Sequence, residues 1–188
     1  NNKIIDLEIR DLNIYNVLAS IAVLKVLKID IKKIKAKLKN FESPEGRGKK
    51  YSIIRYKKKF NLIDESYNAN PLSVKNAINK LSLIKKEKFK KYLILGDMLE
   101  LGSKSNKYHE KLSKVINNSD IDKVFIKGKK TIFTYKQLNK DKRGNILQEN
   151  EDIDISLSEM ISNNDHLMIK GSNATGLHDF SKKMIKGI

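Results

Sequence analysis

Apolar positions along this chain change period several times. Ile5, Leu7 and Ile9 alternate with polar residues, the period-two pattern of a half-buried strand. Ile14, Leu18, Ile21, Ala22 and Leu24 then follow helical spacing, and Ile31, Ile34 and Leu38 suggest a second helix. From Phe41 to Lys50 the pattern lapses. Ser43-Pro44-Glu45-Gly46-Arg47-Gly48 is turn chemistry. The expected organisation is therefore residues 1–42 as one piece, 43–50 as a linker and 51–188 as the main domain.

Past the linker, short apolar runs alternate with amphipathic ones. Tyr51–Tyr56 and Phe60–Asp64 read as two strands joined by a lysine-rich turn. Asn70-Pro71 opens a helix, because asparagine caps well and proline suits the first turn. The core face of that helix is Val74, Ala77, Ile78 and Leu81. Strands are expected at Tyr92–Gly96, Lys123–Gly128 and His166–Lys170, with a weaker one at Asn145–Gln148. Helices are expected around Tyr108–Ile116, Thr131–Leu138, Ile153–Ile161 and Thr175–Lys186. Such alternation builds βαβ units. The fold class is α/β: a mostly parallel sheet flanked by helices, with the first hairpin as one antiparallel edge. Ligands of open α/β sheets bind beyond the carboxyl ends of the strands. The segments to inspect are Asp64–Pro71, Gly96–Gly102 and Gly171–Thr175.

Composition narrows the classes. Hydrophobic residues make up 39% of the 188, enough for a core, and charged residues 32%. No apolar run approaches the roughly 18 residues of a membrane span. The strand-like start does not resemble a signal peptide. With no cysteine, disulfides and thiolate metal sites are excluded, and a cytoplasmic location without membrane association is expected. A net charge of +17 raises the prospect of nucleic acid. Only four of the 39 basic residues are arginine, however: Arg10, Arg47, Arg55 and Arg143. Base-edge recognition leans on arginine's fixed fork of donors. Lysines spread along the chain fit a solvated surface better, with some capacity to draw in anionic nucleotides. A basic, non-catalytic RNA-binding domain stays open as an alternative.

Missing motifs count too. Neither a G-x-x-x-x-G-K-[ST] phosphate loop nor a G-x-G-x-x-G fingerprint is present. His109, His166 and His178 are isolated, without zinc-ligand spacing. From the residues alone no reaction follows.

The three loops do carry a resemblance. Asp64-Glu65-Ser66-Tyr67-Asn68-Ala69-Asn70-Pro71 is similar to the D-D-S-Y-N-A-N-P signature of the Mur ligase family, in the branch that adds D-alanyl-D-alanine. Leu95-Gly96-Asp97-Met98-Leu99-Glu100-Leu101-Gly102, with His109 seven residues on, resembles its L-G-D-M-x-E-L-G segment and following histidine. Lys170-Gly171-Ser172 resembles its K-G-S element. Upstream, Asn13-Ile14-Tyr15-Asn16-Val17-Leu18-Ala19 resembles H-N-x-x-N-x-L-A, with Leu12 in place of the histidine, and Gly46-Arg47 resembles the interdomain G-R. All five agree in order and spacing, from Leu12 to Ser172.

Membership would imply a Rossmann-like carboxy-terminal domain preceded by the last piece of a central ATPase domain. It would also imply ATP and Mg²⁺ as cofactors, with UDP-N-acetylmuramoyl-tripeptide and D-alanyl-D-alanine as substrates. The phosphate loop and magnesium ligands would lie upstream, a monomer is expected, and the chain alone should be inactive, with no catalytic or metal-binding residue of its own. Another Mur ligase, or the related folylpolyglutamate synthetase, is the nearest alternative.

By the same resemblance Arg47 would contact the ATP phosphates, since a guanidinium is always charged and grips two oxygens; otherwise it is a solvated linker residue. Asp64 would accept ribose hydroxyls, or cap a turn. Asn13 and Asn16 would meet adenine, or serve as helix cap and helix surface. Asn68 and Asn70 would orient the dipeptide, with capping an equal role for Asn70. Asp97 and Glu100 would receive its ammonium, or act as acids at a helix start. Lys170 and Ser172 would meet its carboxylate, although Asn173 stands where relatives often carry arginine. His109 reads as a packed helix residue, and Tyr67 as a packing residue.

Overall fold

A computed structural model of the chain describes residues 14–187 except 36, 38, 39 and 86. It divides into two compact units between Ser43 and Pro44. The expected strand at residues 1–10 and the expected site residue Asn13 lie outside the described residues.

In the first unit, α1 (Ile14–Val26) forms where helical spacing predicts it. Only Val17 is buried in it, whereas Ile14 and Leu18, two of the residues at helical spacing, are exposed. The second expected helix opens with a 3₁₀ turn at Ile31–Ile34, started by Asp30, whose carboxylate accepts the Lys32 N–H (3.0 Å); its expected apolar residue Leu38 lies outside the described residues.

The second unit is a six-stranded sheet with helices on both faces. Its strands are β1 (Lys49–Arg55), β2 (Lys58–Glu65), β3 (Lys91–Gly96), β4 (Lys123–Lys127), β5 (Arg143–Leu147) and β6 (His166–Lys170), in spatial order β1-β2-β6-β3-β4-β5. β1 pairs with β2 antiparallel, and every other pair is parallel. β1 starts at Lys49, so the last two residues of the expected linker belong to the sheet. Between β1 and β2, Tyr56 and Lys57 both take left-handed conformations (φ 55° and 56°), as a two-residue hairpin turn requires. Neither is a glycine. The Tyr56 hydroxyl bond to Asp154 and the Arg55–Asp154 ion pair (3.1 Å) help hold them there.

Connecting helices are α2 (Pro71–Ser82), α3 (Ser105–Asn117), α4 (Thr131–Lys136), α5 (Asn150–Met160) and α6 (Leu177–Lys186). Alternate side chains of each central strand serve opposite faces. Leu93 and Leu95 join Val74, Ala77, Ile78 and Leu81 of α2 and Leu112 and Ile116 of α3. Tyr92 and Ile94 join Ile153 and Leu157 of α5 and Phe180 and Met184 of α6. Full burial of each such side chain contributes roughly 1.5–3 kcal/mol. Every residue of β3 is buried, as a strand covered on both faces must be. Among the described residues no helix is long and apolar enough to cross a membrane.

Candidate functional site at the carboxyl rim of the sheet

Strand register decides which loops meet. Glu65 of β2 pairs with Lys170 of β6, Lys170 with Leu95 of β3, and Gly96 with Lys127 of β4. Parallel strands aligned in this way end at one rim. The loops after β2, β6, β3 and β4 therefore emerge side by side. β1 runs antiparallel, with Lys49 opposite Asp64, so the Pro44–Gly48 turn that leads into it reaches the same rim. Arg47, Asp64, Asn68, Asn70, Asp97, Glu100, Lys170 and Ser172 are thereby gathered from segments distant in sequence. Asn16 belongs to the other unit. It is exposed on α1, and its carbonyl accepts the Ser20 hydroxyl (2.9 Å).

Asp64 has no exposed surface. Its Oδ2 accepts the Gly46 N–H (2.9 Å), and its Oδ1 accepts the Ser66 N–H (3.2 Å) and the Ser66 hydroxyl. Its carbonyl takes the Gly48 N–H (2.7 Å), while the Tyr67 N–H returns to the Gly46 carbonyl (3.1 Å). The expected linker turn is thus pinned to the end of β2. Gly46 stands at φ +71°, and a Cβ there would lie 2.6 Å from the Tyr67 Cβ. Only glycine fits that approach. Arg47 is exposed, with its guanidinium carbon 4.7 Å from the centre of the Tyr67 ring.

Lys170 is 2% exposed. Its ammonium donates to the Glu65 carbonyl (3.3 Å) and the Asn68 carbonyl, and stands 3.7 Å from the Glu65 carboxylate. Burial lowers its pKa below 10.5, against the opposing pull of Glu65. The ammonium clamps the loop after β2 and has almost no surface to offer a ligand. Asn70 caps α2, accepting the Ser73 N–H (2.8 Å), and Ser73 Oγ accepts the Asn70 N–H in return (3.0 Å). Of its two readings, capping is the one seen. Asn68 is exposed, and its Oδ1 accepts the Ala69 N–H (2.8 Å).

Asp97 is also inward. Its carboxylate accepts the Lys130 N–H (3.0 and 3.1 Å) and the Thr131 N–H (2.8 Å), closing the start of α4. Gly128, at φ +134°, lets the backbone pass so close that a Cβ would sit 2.4 Å from that carboxylate. Ser172 joins two loops: its N–H donates to the Asp97 carbonyl, and its Oγ accepts the Leu99 N–H (both 3.1 Å). The Ser172 hydroxyl hydrogen remains for another acceptor. Glu100 is exposed and left-handed (φ 61°). A non-glycine residue held there stores strain of order 1 kcal/mol. His109 is fully buried. Its Nε2 accepts the Met98 N–H (2.9 Å), so Nδ1 carries the proton toward the Ser105 carbonyl (2.9 Å). That is the packed helix histidine expected.

Sequence reasoning missed three participants: Ser66, His178 and Glu65. Only the last had a local signal, a second acid beside Asp64. Its carboxylate is 18% exposed and borders Gly48, with Oε1 3.0 Å from where a Cβ would be.

The rim, the sheet order and the five motifs are now joined by independent likenesses. A family model described as Mur ligase, glutamate ligase domain, matches residues 51–173. The chain belongs to the Mur ligase family. It is 33% identical over 143 residues to the UDP-N-acetylmuramoyl-tripeptide–D-alanyl-D-alanine ligase of Bacillus subtilis (strain 168), a match covering 74% of this chain and 31% of that protein. The enzyme of that name from Buchnera aphidicola subsp. Acyrthosiphon pisum (strain APS) is 32% identical over 180 residues, covering 93% and 37%. In fold, the chain superposes on the crystal structure of MurF ligase from Thermotoga maritima in complex with ADP, with a TM-score of 0.74 and 22% identity. That superposition covers 91% of this chain and 37% of that one. The chain thus spans about a third of the length of these relatives.

Proposed function

We propose that this chain supplies the acceptor-binding and closing part of an ATP-dependent ligase that joins D-alanyl-D-alanine to UDP-N-acetylmuramoyl-tripeptide, working as a cytoplasmic monomer. The observation that carries the reading is the convergence of four strand-end loops and the Arg47 turn on one rim. In this reaction a carboxylate is activated as an acyl phosphate, and the dipeptide amine displaces the phosphate. Such chemistry needs positioning and charge neutralisation above all.

Polar groups still open at the rim fit those tasks. Arg47, always charged, neutralises phosphate oxygens. Glu100 receives the dipeptide ammonium, and Asn68 Nδ2 with the Ser172 hydroxyl receives its carboxylate. Lys170, Asp97 and Asn70 act behind them by fixing the loops. Glu65, rather than the enclosed Asp64, offers the carboxylate suited to ribose hydroxyls. Asn13 and Asn16 remain the proposed adenine partners. Among the described residues no three histidine or acidic side chains could hold a metal ion. As the resemblance implies, Mg²⁺ would come with ATP and be held mostly by the central ATPase domain of such a ligase.

The test uses the full-length protein containing this chain, assayed for phosphate release from ATP with the UDP-linked tripeptide and a series of amine acceptors. D-alanyl-D-alanine should drive release far above single amino acids. Preference for glutamate or a folate acceptor would overturn the assignment.

A further inference from the structure

We propose that Ser66 and His178 are positioning residues that, with Asp64, latch the Gly46–Gly48 turn and so set where Arg47 stands. The role assigned to Arg47 rests on the ligase reading; the latch itself does not. Its parts come from three places: the turn before β1, the loop after β2 and the first turn of α6. Asp64 and Ser66 have no exposed surface, and His178 is 5% exposed. His178 Nδ1 lies 3.0 Å from Ser66 Oγ. The Ser66 hydroxyl has a single hydrogen, and a carboxylate can only accept, so that hydrogen goes to Asp64. His178 Nδ1 must then be the donor to Ser66 Oγ. This chain of donors leaves the other Asp64 oxygen to the Gly46 N–H.

The His178 ring also meets the turn by contact. Its Cε1 would be 3.0 Å from a Cβ at Gly46, and it stands edge-on to the Tyr67 ring, with centres 5.4 Å apart at 85°. Tyr67 in turn lies under the Arg47 guanidinium. His178 thus acts on the arginine along two routes, through Ser66–Asp64–Gly46 and through Tyr67. A buried network with every member satisfied holds a single geometry.

Three variants separate these routes. His178→Phe keeps the ring but loses the donor. His178→Asn restores a donor where Nδ1 stood. Ser66→Ala cuts the link while leaving His178 intact. In the 188-residue chain, exchange of the Gly46 and Gly48 amides should quicken roughly tenfold in His178→Phe and Ser66→Ala, the loss of one hydrogen bond to a charged network, and recover in His178→Asn. In the full-length enzyme, His178→Phe should lower kcat with little change in dipeptide KM. The same change in an Arg47→Ala background should do almost nothing further, because residues acting through one group are not additive. Unchanged amide exchange in both His178→Phe and Ser66→Ala overturns the latch. Additive losses of kcat overturn the link to Arg47. A wild-type enzyme that releases no phosphate with D-alanyl-D-alanine overturns the ligase reading, while the exchange result still decides the latch.

Discussion

The end of β2 and the loop after β3 each carry a pair of acids with opposite fates. Asp64 and Asp97 turn inward and take backbone N–H donors, whereas Glu65 and Glu100 keep exposed surface. Asp97→Asn should cost about 1–3 kcal/mol in urea unfolding of the 188-residue chain, since it weakens a charged acceptor of two backbone N–H donors, those of Lys130 and Thr131. Glu100→Gln should stay within about 0.5 kcal/mol of the parent. Such pairs explain why the site was half legible in the sequence. The letters marked Asp64, Asp97 and Lys170 as rim residues. Which acid of each pair turns inward depends on amides 18 and 33 or 34 positions away, and no local pattern carries that. His178 was invisible for the same reason, lying 112 positions from Ser66. A separate residue contributes to the loss of stability in mildly acid solution. Burial and nearby Lys91 hold the His166 pKa below 6.5, and its Nδ1 is buried without a partner. The unfolded chain therefore binds a proton at higher pH than the folded one. Stability should be full above pH 6.5 and fall as pH drops toward the lowered value. Replacing His166 with Gln should flatten that fall, read from urea midpoints between neutral and mildly acid pH.

At the scale of elements, periodicity was a sound guide in α2, whose apolar stripe packs on the sheet. The four residues expected to face the core from α2 are all buried, and Asn70-Pro71 starts that helix as capping chemistry requires. In α1 helical spacing again marked the helix, although Ile14 and Leu18 are exposed. The 43–50 stretch read as linker because glycine and proline mark turns, but a turn and a linker share the same letters. Bonds from Gly46 and Gly48 to Asp64 make it part of the sheet rim. The β1–β2 hairpin offers a clean element-scale test. Lys57 is left-handed without being glycine, so Lys57→Gly should raise stability by about 1 kcal/mol. An unchanged or lower unfolding midpoint would show that the lysine conformation is not strained.

For the whole molecule, the charge of +17 is proposed to draw in anionic nucleotides rather than nucleic acid. RNA titrated at two salt concentrations should show weak, salt-steep association of the kind any lysine-rich surface gives, and saturating ATP or dipeptide should leave it unaltered. Tight binding that survives the higher salt would favour the RNA-binding alternative. The central claim is narrower: the rim around Glu100 receives the amine of the incoming dipeptide. The most direct measurement is the steady-state kinetics of Glu100→Gln in the full-length enzyme, varying D-alanyl-D-alanine and ATP separately. The account predicts a dipeptide KM raised about tenfold by loss of one charge-assisted hydrogen bond, with the KM for ATP unchanged. A dipeptide KM equal to the parent's, or an equal loss toward ATP, would contradict it.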